Sequence, residues 1–346
     1  MNVLALVEQP GNVCYRYRVE AYLPELAKRG HRLQTISLRE GGRLRFVLYR
    51  AVADADLVIL QRRLLPSWQL SLVRGLAKCL VYDFDDAVFQ RDSFQAKGPQ
   101  SLRRQRRFLA TVRAADTVIA GNAYLGRQAR RIADAGRVRV VPTTVQTAAY
   151  RPANHVRTGA GVRLVWIGSS STLQGLELAA RHLQAAGEKT AGLELHLVCD
   201  RTADFPAVAV VPRHWSTATE AEDVAAGDIG VSYLPDDAWS RGKCGLKVLQ
   251  YMAAGLPVVA NPVGMNRRMV IDGRTGLLAD SPGEWAQAIA RLAADPALRR
   301  RMGAAGRRLI EQRYSVERWG PQWVDILESA TRRPLAETVR GRARAA

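Results

Sequence analysis

Short apolar runs rich in β-branched residues recur along the chain. They alternate with stretches whose apolar positions follow a helical spacing, a pattern that predicts parallel α/β sheets. A first series places strands over Val3 to Val7, Arg32 to Ser37, Leu57 to Leu60, Cys79 to Tyr82, Thr117 to Ala120 and Arg137 to Val141, with helices between them, one over Tyr17 to Lys28. Between Thr143 and Gly161 the periodicity fails, and Tyr150-Arg151-Pro152-Ala153-Asn154 with Gly159-Ala160-Gly161 predicts a linker. A second series follows, with strands over Arg163 to Ile167, Glu194 to Cys199, Val208 to Val211, Ile229 to Tyr233, Pro257 to Ala260 and Gly276 to Leu278. The expectation is two doubly wound, Rossmann-like domains, residues 1–155 and 162–318, whose strand ends and ligand sites face one central cleft. The chain from Asp295 onward reads as helical, and Trp319 and Trp323, four apart, share a helix face. Residues 319–346 are therefore read as a helix and basic tail, the helix packing back on the N-terminal domain; an interfacial membrane anchor is the other reading.

Length agrees with two domains, because 346 residues exceed the roughly 150 of a typical one. A content of 47% hydrophobic and 24% charged residues is that of a globular protein. No apolar run approaches the roughly 20 residues of a membrane-spanning helix, and Met1 to Glu8 reads as a buried strand rather than a basic leader. The four cysteines, Cys14, Cys79, Cys199 and Cys244, show no paired spacing, so neither a disulfide framework nor a zinc site is expected, and a reducing cytoplasm is inferred.

The net charge of +19 changes the picture, since so strong a field attracts phosphates, nucleic acid or anionic lipid. Six of the 51 basic residues are lysines, which leaves 45 arginines, a bias that a GC-rich genome produces by itself. The clusters Arg103-Arg104-Gln105-Arg106-Arg107 and Arg340-Gly341-Arg342-Ala343-Arg344 suit attachment to an anionic membrane surface, here the inner face of the cytoplasmic membrane. No basic-aromatic motif of a nucleic-acid reader is present, and no specific nucleic-acid partner is expected.

Candidate chemistry is densest over residues 240–259, where Ser240-Arg241-Gly242-Lys243-Cys244-Gly245 leads into an apolar helical stretch closed by Gly255 and the strand at Pro257. Gly242 and Gly245 let backbone approach a ligand, and a helix start offers free N–H groups and the positive end of its dipole. Lys243 and Lys247, two of the six lysines, are expected four apart on one helical face. Amide and ammonium donors together would hold a diphosphate through charge-assisted hydrogen bonds.

With Asp228 to Pro235 before it and Asn261-Pro262-Val263-Gly264 after it, this run resembles the signature of family 4 retaining glycosyltransferases of the GT-B fold. Leu26 to His31, Asp116 to Ala120 with Asn122, Val140-Val141-Pro142 and Asp272 to Leu278 extend the resemblance over nearly the whole chain. It implies a nucleotide-diphosphate-sugar donor and no metal or other cofactor. Family members carry two glutamates eight residues apart on the helix, and the register puts Gly242 and Gln250 in those places. Both carboxylates are missing, leaving Gln250 with Gly245 on the ribose side and Asp237 or Asp236 as a substitute from the preceding loop. The arginine and lysine that the family places after the first strand of this domain are replaced by Gly168-Ser169-Ser170-Ser171-Thr172, so Ser169 and Ser170 are candidate phosphate donors and Lys243 and Lys247 candidate charges. Across the expected cleft, the resemblance puts Gly11 of Gln9-Pro10-Gly11-Asn12 close to the donor; Arg16 is favoured over Arg18 for the phosphate.

Tyr82-Asp83-Phe84-Asp85-Asp86 ends an apolar strand, and three carboxylates so close repel unless cations compensate. The register puts Asp85 at the place of a family histidine, so Asp85 or Asp86 is a candidate to position the acceptor hydroxyl or accept its proton; helix capping is the plainer role. Asp83-x-Asp85 also resembles the metal-nucleotide motif of the other architecture, GT-A, which the two-sheet layout opposes. For the nucleobase, His214 and Trp215 are candidates, with packing of the tryptophan into the core as the alternative. The function expected is transfer of a sugar to a lipid-linked or polysaccharide acceptor of the cell envelope. A GT-B epimerase or hydrolase, or an inactive pseudo-transferase or partner subunit, are the alternatives.

Overall fold

The computed structural model describes residues 1–39, 45–155 and 161–332. The basic cluster at 340–344 lies outside them. Contacts divide the chain into a first unit of Met1–Thr144, Gly242–Cys244 and Val316–Ala346, and a second of Val145–Arg241 and Gly245–Ser315.

In the first unit, β1 (Asn2–Val7), β2 (Arg32–Ser37), β3 (Leu57–Gln61), β4 (Leu80–Phe84), β5 (Thr117–Ala120) and β6 (Val138–Val140) form one parallel sheet in the order β2-β1-β3-β4-β5-β6. β3 and β4 are buried at every residue, as expected where helices cover both faces of a parallel sheet. The stretch expected as one helix over Tyr17 to Lys28 is broken into Val13–Arg18, a 3-10 turn at Glu20–Tyr22, and Leu23–Lys28. Pro24 has no N–H to give a continuous helix, and it sits instead in the first turn of a new one.

Helix Val316–Arg332 belongs to this unit and buries Trp323, Val324, Leu327 and Ala330 in its core. The Trp323 ring packs on Tyr22 with centroids 5.0 Å apart, and Trp319 lies against the same cluster. The apolar stripe read as a possible membrane anchor is thus spent inside the protein. No helix among the described residues is long and apolar enough to cross a membrane.

The second unit holds β7 (Val162–Ile167), β8 (Leu193–Cys199), β9 (Ala209–His214), β10 (Ile229–Ser232), β11 (Val258–Ala260) and β12 (Gly276–Leu278), all parallel, in the order β12-β11-β10-β7-β8-β9. Leu164, Trp166, Leu195, Ile229, Trp285 and Ile289 anchor its core. Residues 145–155, aperiodic in sequence, are fixed here by buried and half-buried polar contacts. Arg307 donates to the carbonyls of Tyr150 (2.6 Å) and Thr147 (3.2 Å), and His155 Nε2 lies 2.9 Å from the Gly255 carbonyl. Backbone held by arginine side chains needs no hydrophobic period, which is why the sequence pattern reads as a linker.

Candidate functional site

Strand order in the second unit reverses between β7 and β10. In sheets of this kind ligands bind beyond the carboxyl ends of the strands at such a switch point. β7 runs out into Gly168-Ser169-Ser170, and β10 into Tyr233-Leu234-Pro235. Helix Leu246–Ala253 starts from Gly245, whose φ of +72° is costly for any residue with a Cβ. Lys247, in its first turn, reaches the end of β7: its Nζ stands 4.3 Å from the Trp166 ring centroid and 3.2 Å from Thr172 Oγ1. Gly168 leaves room for that ammonium, because a Cβ there would come within 2.6 Å of Thr172 Oγ1 and closer still to Lys247 Nζ.

The two serines proposed as phosphate donors are both engaged. Ser169 and Thr172 form a capping box on helix Ser170–Glu177. Ser170 gives its backbone N–H (2.6 Å) and its hydroxyl (2.9 Å) to the two carboxylate oxygens of Asp200, just beyond β8. Partial burial works against the Asp200 charge, but the bonds from Ser170 outweigh it and hold the carboxyl below its ordinary range. An internal anion therefore occupies the Ser170 donors that the sequence offers to phosphate.

The remaining candidates of this unit divide similarly. Gln250 is 3% exposed and its amide donates to the Tyr150 hydroxyl at 3.1 Å, so that amide is directed inward. Asp237 accepts from the Ser240 N–H at 2.7 Å and Asp236 pairs with Arg241 at 2.9 Å, contacts that hold the local turn. His214 is exposed at the end of β9, two strands from β7, and the Trp215 indole N–H donates to Glu220 at 3.1 Å.

In the first unit the acidic cluster turns out to be compensated. Asp83 is fully buried and receives Arg18 Nε at 3.1 Å and Nη2 at 2.6 Å, while Arg18 Nη1 donates to the Val141 carbonyl at 2.6 Å. Both Asp83 oxygens are thereby engaged, and the Asp83-x-Asp85 spacing does not present two open carboxylates. Asp86 pairs with Arg62 (2.5 Å) and Lys243 (3.4 Å), and Asp85 lies 3.7 Å from Arg62. Arg62 was not singled out from the sequence. It follows β3 as Asp85 follows β4, so its place at a strand end was the available signal. Its φ of +59° is unusual for a residue with a side chain and marks backbone strain. Its Nη1 also reaches Cys14 Sγ at 2.6 Å, and burial pushes that thiol up to about 12.

Lys243 does not share a helical face with Lys247, because the helix begins only at Leu246. It lies on the segment Gly242–Cys244, which packs within the first unit. Asn122 Nδ2 donates to the Gly242 and Lys243 carbonyls at 3.0 and 3.1 Å, and a Cβ on Gly242 would meet Ala87 at 2.7 Å. Of the other candidates, Gly11 is exposed in the loop after β1, and the half-buried Arg16 has its guanidinium 5.3 Å from the Tyr17 ring centroid. The structure thus brings Asp85, Asp86, Lys243 and Gly242 together in one unit, and Lys247 with Gly168, Ser169 and Ser170 in the other.

Residues 161–295 match the family model of glycosyl transferases group 1. A D-inositol 3-phosphate glycosyltransferase from Acidothermus cellulolyticus is 32% identical over 58% of this chain and 50% of its own length, and one from an Arthrobacter species 28% identical over 48% and 43%. The chain thus spans half or less of the length of these curated relatives. Sucrose-phosphate synthase from Thermosynechococcus elongatus superposes with a TM-score of 0.74 at 20% identity, covering 95% of this chain and 98% of that one. Anabaena HepE, solved in complex with UDP and glucose, gives 0.68 at 16%, covering 95% and 100%. At such identities the superpositions establish the fold, the GT-B architecture of two Rossmann-like units. Over residues 161–295, the chain is similar to the glycosyl transferases group 1 family.

Proposed function

We propose that the chain transfers a sugar from a nucleotide-diphosphate donor to a lipid-linked or polysaccharide acceptor of the cell envelope, with retention and without a metal, at an anionic membrane surface. The carrying observation is Lys247, poised over Trp166 beside Thr172 at the switch point of the second unit. An ammonium fixed there, in the first turn at the positive end of its helix, suits the charge that develops on a departing nucleoside diphosphate. In the first unit Asp85 and Asp86, held by Arg62 and Lys243, are assigned to the acceptor hydroxyl. The HepE complex with UDP and glucose and the name of the D-inositol 3-phosphate glycosyltransferases support a nucleotide-sugar donor.

The inactive alternative draws on Gln250 and Asp200, the one turned into its domain and the other seated where phosphate would land. Both readings are tested by incubating the full chain with UDP- and GDP-sugars, with and without envelope lipid extract, and measuring the nucleoside diphosphate released. Release that depends on extract supports transfer. Release without it makes the chain a hydrolase, and nucleotide binding with no release under any condition makes it a pseudo-transferase.

A further inference from the structure

Two neighbouring helices of the first unit carry a surface that the chemistry above does not use. On helix Ser67–Leu76, Leu70 and Val73 are buried, whereas Trp68, Leu72 and Leu76 are 52%, 45% and 39% exposed. Their spacing of four residues lines them along the outward side of the helix. The helix Leu102–Ala114 packs beside it and starts with Leu102, 71% exposed, followed by Arg103, Arg104 and Arg106, all exposed. Arg107 fixes the relation of the two, since its Nη1 donates to the Leu64 carbonyl at 3.3 Å, one turn before Trp68.

The charge on this surface is one-sided. The two helices contain six arginines and no acidic residue, and of the six Arg74 is paired with Asp116 at 2.5 Å. Among the described residues no carboxylate lies within salt-bridge distance of Arg103, Arg104, Arg106 or Arg107, while Arg63 has Glu8 at 3.0 Å. Partial burial, with Arg103 and Arg63 close by, holds Arg107 below its ordinary range. An aromatic and aliphatic stripe beside unneutralised arginines is what an interfacial lipid-binding helix presents, the side chains entering the acyl boundary and the guanidinium groups meeting the headgroups.

We infer that Trp68, Leu72 and Leu76, with Leu102 and Arg103 to Arg107, dock the first unit on an anionic lipid surface. The inference specifies the membrane part of the function proposed above, and vesicle binding is read without any sugar transfer, so either can fail alone. The test is co-sedimentation of the full chain with vesicles of phosphatidylcholine alone, or of phosphatidylcholine with one third phosphatidylglycerol. At low salt the anionic vesicles should retain at least tenfold more protein, and high salt should release most of it. Trp68→Ser/Leu72→Ser and, separately, Arg103→Glu/Arg106→Glu should each lower retention tenfold, with thermal midpoint and UDP affinity unchanged. The arginine variant changes only exposed side chains and so keeps the test open if the apolar variant misfolds. Equal retention on both vesicle types, or variants that bind like the parent, would overturn the inference. So would a dimer in sedimentation velocity that Trp68→Ser/Leu72→Ser dissolves while the parent ignores vesicles, which would assign the surface to a second copy of the chain.

Discussion

Arg18 and Asp83 form a two-point ion pair, Nε to Oδ1 at 3.1 Å and Nη2 to Oδ2 at 2.6 Å, with both side chains wholly removed from solvent. It explains how an acidic run can end the apolar strand β4: the carboxylate nearest the sheet is cancelled from the helix after β1, leaving Asp85 and Asp86 to Arg62 and Lys243. Burial alone would lower the Arg18 pKa, but the Asp83 charge overrides it and the guanidinium stays charged.

Removing one partner of such a pair leaves an uncompensated buried charge, and Arg18→Met should destabilise the protein by about 3–5 kcal/mol. The loss should depend on pH. Burial already raises the Asp83 carboxyl against the pull of Arg18, and without the arginine it rises further. A group whose folded pKa exceeds its unfolded value contributes stability below the unfolded pKa and loses it as pH climbs through the folded one. Urea midpoints should therefore fall more at about pH 8 than at about pH 5. A penalty independent of pH would mean that Asp83 does not titrate as described.

Lys247→Ala removes the ammonium that Trp166 and Thr172 hold at the end of β7. Hydrogen bonds to charged groups contribute about 1.5–3 kcal/mol, so UDP or GDP affinity measured by calorimetry should drop roughly ten- to hundredfold. Unchanged affinity would remove the lysine from the phosphate site.

Gly168→Ala tests the same place from the other side. The added methyl meets Lys247 Nζ, the Trp166 ring and Thr172 Oγ1 at once, and Trp166 is a core residue that cannot move away. Overpacking of this kind costs about 1–3 kcal/mol of stability, and the displaced ammonium should weaken diphosphate binding as well. A variant with parental affinity and parental thermal midpoint would show that the glycine is not required there.

Much of this was legible beforehand. The short apolar runs locate all twelve strands of the described residues to within a few positions, because parallel strands covered on both faces leave little ambiguity. What the pattern missed were polar commitments made at a distance: Arg307 on the carbonyls of Thr147 and Tyr150, Arg18 on Asp83, and Asp200 on Ser170. Periodicity reports which face is buried; it does not report which of 45 arginines is paired. Lys243 and Lys247 illustrate the same limit, since a left-handed glycine at 245 starts the helix later than their spacing suggests.

Asp200→Asn should increase diphosphate affinity, because the amide cannot present two carboxylate oxygens to the Ser170 N–H and hydroxyl. The amide oxygen can keep the backbone N–H, so the Ser170 hydroxyl is the donor released to a phosphate oxygen, and with the local negative charge gone a gain of a few fold is expected by calorimetry. Weaker binding in this variant would instead make Asp200 a support that shapes the loop after β7.

Asp85→Asn separates acceptor chemistry from donor binding. Asp85 lies 3.7 Å from Arg62 in the first unit, and its neighbour Asp86 holds the closer contact with that guanidinium at 2.5 Å, so the cation keeps an anionic partner when Asp85 is neutralised. The fold should therefore be retained, whereas Asp86→Asn, which breaks the contacts to both Arg62 and Lys243, should also lower the thermal midpoint. If Asp85 accepts the acceptor proton, its amide variant should lose about 10²–10⁴-fold in kcat with nucleotide affinity unchanged. Orientation alone, with no proton transfer, predicts a smaller loss concentrated in the KM for the acceptor. Parental turnover in Asp85→Asn would return the cluster at the end of β4 to the structural role that its pairing with Arg18 and Arg62 already fills for its neighbours.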